Sequence, residues 1–402
     1  MSLTAIDTAL DQIFAQLPKI TETESLPLAQ AKGRVLAEDC VSAIDVPGHD
    51  NSAMDGYALS AADLETSSSL KIVQRIAAGE VGGQLKPGEA ARIFTGAPIP
   101  PGADAVVMQE NCTVCGDELT VLKKVCPGEN SRKAGGDVQS GALVLSRGRR
   151  LRPQDIGLLA SIGLETVCVR RRLKVSLLTT GNELVQPGTE LQAGQVYNSN
   201  YYTLYALLRG LQVEVLAGGI VEDDFEGTRR ALLRAAQQSD CVITTGGVSV
   251  GEEDHVKAAI EKEGLLQLWK LAIKPGKPLA CGKIAGTQFF GLPGNPVSAF
   301  VTFVLVVRPS LLGMLGCKGS IANSYNVAAG FSAPESGQRQ EYLRCQLGPG
   351  DDEVSSLHPL GNQSSGVAAS LSQADGLAVV PPYTAVSHGD MLEFIPFSEL
   401  VN

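Results

Sequence analysis

Strand-like and helix-like segments alternate regularly between residues 173 and 318, a pattern that few folds accommodate. Short apolar runs predict strands over 174–179, 213–220, 241–245, 265–273 and 288–291. Between them, patterns of helical period predict helices over 200–209, 225–237, 254–263 and 297–307. Strands that are connected through helices run parallel, with the helices covering both faces of the sheet. We therefore predict a doubly wound α/β domain over residues 173–318.

The remainder of the chain predicts three further domains. Residues 1–45 open with a helix whose apolar side chains share one face, namely Ile6, Leu10, Ile13, Phe14 and Leu17. Residues 138–172 are too few for a core of their own, so we expect them to pack with residues 1–45 as one small, discontinuous helical and β domain. Short strands and frequent turns over 46–137 predict a β-rich domain inserted into it, and residues 319–402 a C-terminal β domain.

Charge and hydropathy argue against two classes of partner. The net charge is −10, and the longest basic run is Arg170–Arg172, so we expect no nucleic-acid binding. The longest apolar stretch, 300–307, is interrupted by Arg308 and Pro309, and a membrane-spanning helix needs about 20 apolar residues. We therefore expect no membrane span.

The nine cysteines are irregularly spaced, which argues against a disulfide framework and favours a reducing, cytoplasmic location. Cys112 and Cys115 form a CxxC motif directly before a Gly-Asp turn. A structural zinc site needs a second such pair, which the sequence lacks. We therefore predict an ordinary hairpin there.

Three predicted strands of the α/β domain end in polar, glycine-containing loops, over 179–183, 244–249 and 291–296. Glycines let backbone N–H groups face an anion, and a following helix N-terminus adds partial positive charge. One such loop alone would be an ordinary strand-to-helix turn, but three at one sheet edge predict a phosphate-binding site. Its candidate substrate contacts are Thr180, Gly246, Gly247, Ser249, Pro293, Asn295 and Pro296.

Four carboxylates follow these strands: Glu183, Asp223, Asp224 and Asp254. Carboxylates beside bound phosphate are unfavourable unless a cation lies between them, and Mg²⁺ prefers such oxygen ligands. The four are therefore candidate metal ligands. Alternatively, Asp223 or Asp224 caps the helix that begins at Phe225, and Asp254 caps its own helix.

A stiff basic loop, Lys274-Pro-Gly-Lys-Pro278, follows a predicted strand. Two prolines and a glycine hold the ammonium groups of Lys274 and Lys277 in one turn. A fixed pair of cations suits an oxyanion such as phosphate or molybdate, although a basic hairpin without a ligand is the alternative.

Six segments together resemble one family. They are PGHDNSAMDGYA (47–58), TGAPIPPGADAVVMQE (95–110), TTGNEL (179–184), TTGGVSVGEEDH (244–255), IKPGKP (273–278) and FFGLPGNPVSAF (289–300). In this order, and over nearly the whole chain, they resemble the molybdopterin molybdenumtransferases of the MoeA type, which include the E domain of gephyrin.

The resemblance implies a four-domain subunit in a homodimer, with the discontinuous domain serving dimerisation. It implies transfer of molybdate to adenylylated molybdopterin with release of AMP, supported by Mg²⁺. The pterin-adenylating enzyme is a candidate delivery partner. Three alternatives stay open: a non-catalytic scaffold like gephyrin, a homologue that handles tungstate, and an enzyme acting on a different nucleotide-linked substrate, such as a pyridine nucleotide.

The resemblance also implies roles for individual residues. Asp55 and Thr95 should face the site from the second subunit, and Asp137 falls in a matching stretch. Glu183, Asp223 or Asp224, and Asp254 should serve the cation and the pterin. Further matches are the basic-loop residues Lys270, Lys274 and Lys277 with Ser298 beside them, and the oxyanion-binding positions Arg344 and either Ser364 or Ser365.

Overall fold

The computed structural model describes residues 3–221, 224–247, 255–350 and 355–401. A small N-terminal unit is built from two separated stretches of the chain. After β1 (Leu3–Thr4) and α1 (Ile6–Gln16), the first stretch contributes β2 (Thr23–Pro27) and β3 (Cys40–Val41) to it. Its continuation contains β12 (Leu143–Leu145), α3 (Pro153–Ser161) and β13 (Thr166–Arg170). Strand β2 pairs antiparallel with β13, and β3 with β12.

The first helix lies elsewhere than predicted. Strand β1 pairs in parallel with a strand of the α/β sheet, and the buried side chains of α1 join the core on one face of that sheet. The expectation that this helix packs with residues 138–172 is therefore wrong. The large sheet offers the apolar stripe of α1 more apolar surface than the small unit does, and burial of apolar area decides the placement.

The inserted domain is a β-rich module between the two stretches. It contains the short helix α2 and eight strands: β4 (Asn51–Ser52), β5 (Gly56–Leu59), α2 (Asp63–Thr66), β6 (Ser69–Ile76), β7 (Glu89–Ile93), β8 (Ala105–Met108), β9 (Cys112–Cys115), β10 (Glu118–Val121) and β11 (Ser131–Arg132). Six of them form one sheet in the order β8-β5-β7-β6-β10-β9. The chain enters and leaves this module side by side, because Val46 N donates to Val138 O at 2.7 Å. The CxxC motif is strand β9 of a hairpin with β10, as predicted.

The α/β domain contains nine strands and five helices in the described part of the chain. They are β14 (Lys174–Thr180), β15 (Leu184–Val185), β16 (Val196–Tyr197), α4 (Ser199–Gly210), β17 (Glu214–Val221), α5 (Phe225–Gln238), β18 (Cys241–Thr245), α6 (His255–Glu263), β19 (Gly264–Leu271), β20 (Ile273–Lys274), β21 (Pro278–Ile284), β22 (Thr287–Leu292), α7 (Pro296–Thr302) and α8 (Arg308–Met314). Seven strands form a sheet in the order β1-β19-β21-β22-β18-β14-β17. Helices α1, α4, α7 and α8 cover one face, and α5 and α6 the other.

One strand of this sheet runs against the others. Strand β21 is antiparallel to both β19 and β22, whereas the remaining neighbours in the sheet are parallel. Strand β21 was not predicted, because the segment 272–277 before it is too short for a helical crossover and contains the basic loop. The sheet is thus doubly wound but mixed.

Helices α7 and α8 are one continuous helical stretch, joined by a π-helical turn over Phe303–Val307. The predicted end at Val307 is wrong. The π-turn changes the hydrogen-bond register just before Pro309, so that the missing proline N–H is tolerated. By length and composition this stretch, Pro296–Met314, could cross a membrane, but 94% of its most apolar window is buried inside the protein as a core helix.

The C-terminal domain is a small closed barrel. Its elements are β23 (Tyr325–Ala329), β24 (Gln340–Pro349), β25 (Ser355–Pro359), α9 (Ala369–Gln373), β26 (Gly376–Val380), β27 (Met391–Pro396) and α10 (Phe397–Val401). Five strands close in the order β24-β25-β23-β27-β26, with β26 returning to β24. Strand β20, which lies in the chain between β19 and β21 of the α/β sheet, pairs in parallel with β24 and so attaches the barrel to that domain.

Candidate active site

The three predicted glycine loops meet at one edge of the α/β sheet. Strands β14, β18 and β22 are parallel neighbours, so their carboxyl ends lie together. A cavity of about 390 Å³ opens there, which we call the strand-end cleft. Its lining includes Thr180, Glu183, Asn198, Asn200, Thr245, Gly246, Asn295, Pro296 and Gly366.

The backbone of the second loop requires glycine. Gly246 and Gly247 have φ angles of +88° and +65°. A Cβ on Gly246 would lie 2.6 Å from the carbonyl oxygen of Thr180, and one on Gly247 would lie 2.6 Å from Cγ2 of Val256. The two glycines thus let this loop pass close to the end of β14.

Two asparagines that the sequence analysis missed hold the loops together. Nδ2 of Asn200 donates to Thr245 Oγ1 at 3.0 Å and to the carbonyl oxygen of Gly294 at 2.7 Å. Asn198 is 1% exposed; its Nδ2 donates to Thr179 Oγ1 at 2.8 Å, and its side-chain oxygen caps α4. The sequence signal for Asn198 was an asparagine at the start of a predicted helix, which is typical of an N-cap.

Only part of the predicted carboxylate set can be located. Glu183 lines the strand-end cleft. Asp224 is the N-cap of α5, and its Oδ1 accepts from Gly227 N at 2.7 Å, so the capping alternative is observed for this residue. Asp223, Asp254 and Ser249 lie outside the described residues. Within the described ranges, no three His, Cys, Asp or Glu residues are grouped as a metal site.

The basic loop faces the C-terminal barrel. Nζ of Lys274 forms an ion pair with Oε1 of Glu341 at 2.9 Å. Lys274 also lines a second cavity of about 550 Å³, together with Gly361 and Gln363 of the barrel domain. Lys277 is exposed, and its carbonyl oxygen accepts from Leu271 N at 2.7 Å.

The remaining residues of this basic region, Lys270 and Ser298, lie on strand β19 and helix α7. Lys270 is half-buried near the end of β19, opposite Pro278 of β21. Ser298 is 5% exposed on α7, and its carbonyl oxygen lies beneath Gly276 of the basic loop. The loop is thus packed directly on the helix that begins at Pro296.

Arg344 is a buried arginine with internal partners. It is 1% exposed; Nε donates to Ser370 Oγ at 3.1 Å, and Nη2 donates to the carbonyl oxygens of Asn362 and Ser364 at 3.2 Å each. Burial lowers the pKa of this guanidinium. Arg344 therefore shapes the loop between β25 and α9, and an oxyanion contact stays a prediction.

Of the two candidate serines, Ser365 is the one that meets the α/β domain. Its Oγ accepts from Asn295 Nδ2 at 3.1 Å, and its carbonyl oxygen accepts from Val297 N at 3.0 Å. The N–H of Ser364 instead donates to Asn362 Oδ1 at 3.0 Å within its own loop. The strand-end cleft and the loop shaped by Arg344 are therefore in direct contact through Ser365.

Asp55 and Thr95 form a built pair in the inserted domain. Oδ1 of Asp55 accepts from both the backbone N and the Oγ1 of Thr95, at 2.8 Å each, and these bonds lower the pKa of Asp55. Asp137 is exposed where the chain leaves that domain. None of the three lines either of the cavities described above.

These features define a multidomain α/β protein whose sheet edge forms a cleft of the kind that holds phosphorylated ligands. The chain matches the MoeA N-terminal region (domain I and II) over residues 4–163. It matches a probable molybdopterin binding domain over 176–313 and the MoeA C-terminal region (domain IV) over 326–397.

Relatives over most of the chain agree with these matches. The chain is 46% identical over 315 residues to the molybdopterin molybdenumtransferase of Haemophilus influenzae, covering 78% of each chain. It is 35% identical over 384 residues to molybdopterin molybdenumtransferase 2 of Mycobacterium tuberculosis, covering 92% of this chain and 94% of the relative. The chain therefore belongs to the molybdopterin molybdenumtransferase family, which confirms the resemblance.

A solved structure has the same fold. The molybdopterin biosynthesis MoeA protein of Pyrococcus horikoshii OT3 superimposes with a TM-score of 0.84 at 30% sequence identity, over 98% of this chain and 100% of that one. The predicted architecture of one α/β domain with β-rich domains around it is thereby confirmed.

Proposed function

We propose that this protein is the molybdenum insertase of molybdenum cofactor biosynthesis, which transfers molybdate to adenylylated molybdopterin and releases AMP. The observation that carries the proposal is the hydrogen bond from Asn295 Nδ2 to Ser365 Oγ at 3.1 Å. It joins a cleft suited to phosphate to the loop beside the basic residues suited to an oxyanion. Both halves of the reaction thus have a place in one continuous region.

The strand-end cleft would hold the nucleotide-linked pterin. The N–H of Gly246 is used within the sheet edge, where it donates to the carbonyl oxygen of Leu292 at 3.1 Å. Donors to the phosphate oxygens would therefore come from the backbone of Gly247 and from the hydroxyl of Thr180 beside it. Asn200 fixes the separation of the second and third loops by bonding to both. A cleft held in this way positions the phosphoanhydride without rearrangement, and positioning is a large part of the rate enhancement.

Molybdate would bind at the basic loop. Lys274 lies beside the barrel, where its partner Glu341 holds the ammonium group in place until the anion arrives. The ammonium groups of Lys274 and Lys277 would neutralise the tetraoxo anion while the two dithiolate sulfurs attack molybdenum. Oxygen ligands leave molybdenum as the sulfurs bind, and protons are needed to release them as water.

Among the candidate magnesium ligands, one carboxylate in the described part of the chain, Glu183, lies at the strand-end cleft. Glu183 lines this cleft and is exposed. Magnesium is typically held by one or two carboxylates together with substrate phosphates and water. Glu183 would therefore hold the cation with the phosphoanhydride, and when bound the cation supplies charge neutralisation at the departing phosphate. Asp254 would be the second ligand.

The Asp55–Thr95 pair would complete the site from a second subunit of a homodimer. This proposal is supported by the pair being preorganised and exposed, although it lines neither cavity of its own chain.

We place the reaction in the cytoplasm, since all nine cysteines are free thiols. We also propose that the pterin-adenylating enzyme delivers the substrate.

The test is AMP release from adenylylated molybdopterin by the purified protein with Mg²⁺, measured with and without micromolar molybdate. We expect AMP release that depends on molybdate. Omitting Mg²⁺ tests the cation separately. Tight binding of the adenylylated pterin without AMP release would instead indicate a scaffold, and release that tungstate supports better than molybdate would indicate a tungstate enzyme. Absence of binding would overturn the proposal.

A further inference from the structure

A separate cavity of about 490 Å³ lies where three parts of the chain meet. The N-terminal unit contributes Lys32 and residues 149–153, and α10 contributes Glu399. Helix α8 contributes Arg308 and Leu312, and the turn after it residues 317–319. This junction cavity shares no lining residue with the strand-end cleft or with the cavity beside Lys274.

The lining of the junction cavity is strongly basic in an acidic protein. The whole chain carries a net charge of −10. One carboxylate, Glu399, lines this cavity against six cationic side chains, which are Lys32, Arg149, Arg150, Arg152, Arg308 and Lys318. Arg149, Arg150 and Arg152 are neighbours in the sequence, whereas Lys32, Arg308 and Lys318 come from distant segments that the fold brings to the same place.

The carboxylates near this cavity neutralise only part of that charge. Asp155 is 3% exposed and forms ion pairs with Arg149 and Arg152. Glu399 accepts from Asn323 Nδ2 at 3.1 Å. Lys32, Lys318 and Arg308 form no ion pair with any residue in the described part of the chain.

Besides the excess of positive charge, the burial of Arg308 indicates that an anion binds in this cavity. Arg308 is 6% exposed; Nη1 donates to the carbonyl oxygen of Ser320 at 3.1 Å, and among the described residues its buried Nε has no hydrogen-bond partner. Burial and the positive charge of Arg150 lower the pKa of Arg308 to about 10. A buried cation with an unused donor is costly unless an acceptor of opposite charge reaches it.

Arg150 is held rigidly at the same place. Its Nε donates to the carbonyl oxygen of Gly33 at 3.3 Å, and its Nη2 donates to that of Gly210 at 3.0 Å. The guanidinium therefore connects the N-terminal unit to the end of α4 and stays close to Arg308. Two like charges fixed in this way create a local field that attracts an anion.

We propose that the junction cavity binds a phosphate group, either as inorganic phosphate or as the phosphate of a small organic molecule. Guanidinium groups match phosphate oxygens with paired hydrogen bonds, and Lys32 and Lys318 at the rim add further positive charge. The cavity is larger than one phosphate ion, and Leu151, Pro153 and Leu312 provide apolar wall for an organic part. A bound phosphate would tie the three parts of the chain together.

The test uses the full-length protein in phosphate-free buffer at constant ionic strength. Inorganic phosphate and ribose 5-phosphate are each titrated by calorimetry, and the melting temperature is followed in parallel, because a ligand that binds the native state raises it. We expect binding by the wild type, with ribose 5-phosphate tighter than inorganic phosphate if the organic part uses the apolar wall. Equal affinity for the two would assign the site to phosphate alone.

The decisive variant is Lys32→Gln/Lys318→Gln, since both lysines are exposed and the fold does not depend on them. It should weaken phosphate binding about tenfold. The matched control, Lys86→Gln/Lys124→Gln, removes two exposed lysines of the inserted domain and should bind as the wild type does. Arg308→Met should abolish the rise in melting temperature.

Two results would overturn the proposal. The first is equal affinity of the Lys32/Lys318 variant and the Lys86/Lys124 control, which would place bound phosphate elsewhere, including the strand-end cleft. The second is no binding of either probe by the wild type at millimolar concentration. Both readouts are independent of AMP release, so this proposal can fail while the proposed function holds.

Discussion

At the scale of single residues, the ion pair between Lys274 and Glu341 raises a question of role. An exposed lysine paired with a carboxylate could serve only to attach the basic loop to the barrel, and surface ion pairs contribute little to stability. The same lysine could instead be the cation that receives molybdate. The two roles differ in what happens when the carboxylate alone is removed.

We therefore predict opposite effects for the two partners. Lys274→Ala should lower molybdate-dependent AMP release by about a hundredfold or more, because charge stabilisation at the reacting anion is lost. Glu341→Gln should retain activity and lower the molybdate concentration needed for half-maximal rate, since it frees the ammonium group. Steady-state kinetics at varied molybdate measures both. Equal losses in the two variants would assign Lys274 to attachment alone.

Asp155 makes a prediction about pH. Burial raises the pKa of its carboxyl group, but hydrogen bonds from Arg152 and Arg149 outweigh burial and lower the pKa to about 2. A carboxyl whose pKa is lower in the folded state stabilises the fold above its unfolded pKa of about 3.9, and this contribution is lost as pH falls towards 2. The shift corresponds to about 2 kcal/mol.

We expect Asp155→Asn to lower the free energy of unfolding by about 2 kcal/mol or more at pH 7, and to flatten its dependence on pH between about 4 and 2. Urea unfolding at a series of pH values measures this. As a control, Asp117→Asn removes an exposed carboxylate whose contact with Lys71 is 3.7 Å long, and it should change stability little. An unchanged pH dependence in Asp155→Asn would contradict the assignment.

At the scale of elements, the basic loop depends on its contact with α7. Gly276 has a φ of +110°, and a Cβ there would lie 2.7 Å from Thr302 Oγ1. Gly286, in the turn between β21 and β22, has a φ of +87° but no atom within 4 Å of such a Cβ. The two glycines share the strain of a positive φ and differ in the steric contact.

This pair gives a matched test. Gly286→Ala should cost about 1 kcal/mol from backbone strain alone and leave AMP release unchanged. Gly276→Ala should cost more, because the loop must move away from α7, and it should also reduce AMP release by displacing Lys274 and Lys277. Chemical denaturation and the AMP assay are measured on both. If the two variants behave alike, the packing of the loop on α7 has no functional consequence.

The elements also show how far the sequence could predict the fold. Strand β18 and helix α5 were predicted to within one residue, because a buried strand and an amphipathic helix each have a period that is visible locally. Strand β21 and the partner of α1 were not, since both depend on which distant surface is available. The π-turn before Pro309 was missed because it compensates for the proline only within a packed helix.

The candidate site divides in the same way. The glycine loops could be located because positive-φ positions select glycine, and the local sequence carries that signal. Asn200 could not be found, since its two partners lie 45 and 94 residues away along the chain. The choice between Ser364 and Ser365 likewise needed the contact with Asn295.

At the scale of the whole molecule, we propose that the site takes residues from two subunits. Asp55 and Thr95 belong to the inserted domain, and Lys274 belongs to the junction of the sheet and the barrel. If each site takes the first pair from one chain and the lysine from the other, then two different inactive chains can together restore one intact site.

We predict such complementation between Asp55→Ala and Lys274→Ala. Each variant alone should release little AMP, whereas co-expressed chains should recover up to about a quarter of wild-type activity, the share expected from random pairing with one intact site in half of the dimers. Differently tagged chains allow the mixed dimer to be isolated. As a control, Lys274→Ala mixed with Lys277→Ala places both defects in the same half-site and should restore nothing if both lysines are needed. A mixed Asp55/Lys274 dimer without activity would argue against a shared site.

The inserted domain is joined to the N-terminal unit by two chain segments that run side by side at Val46 and Val138. Because the chain enters and leaves the inserted domain at adjacent positions, this domain takes the place of a short turn in the N-terminal unit. Residues 47–137 could be replaced by a hairpin turn of a few residues without moving either neighbour. The same geometry makes the junction a suitable place to exchange the module with that of a relative, and the chimaera would carry the Asp55–Thr95 pair as part of a single transferred unit.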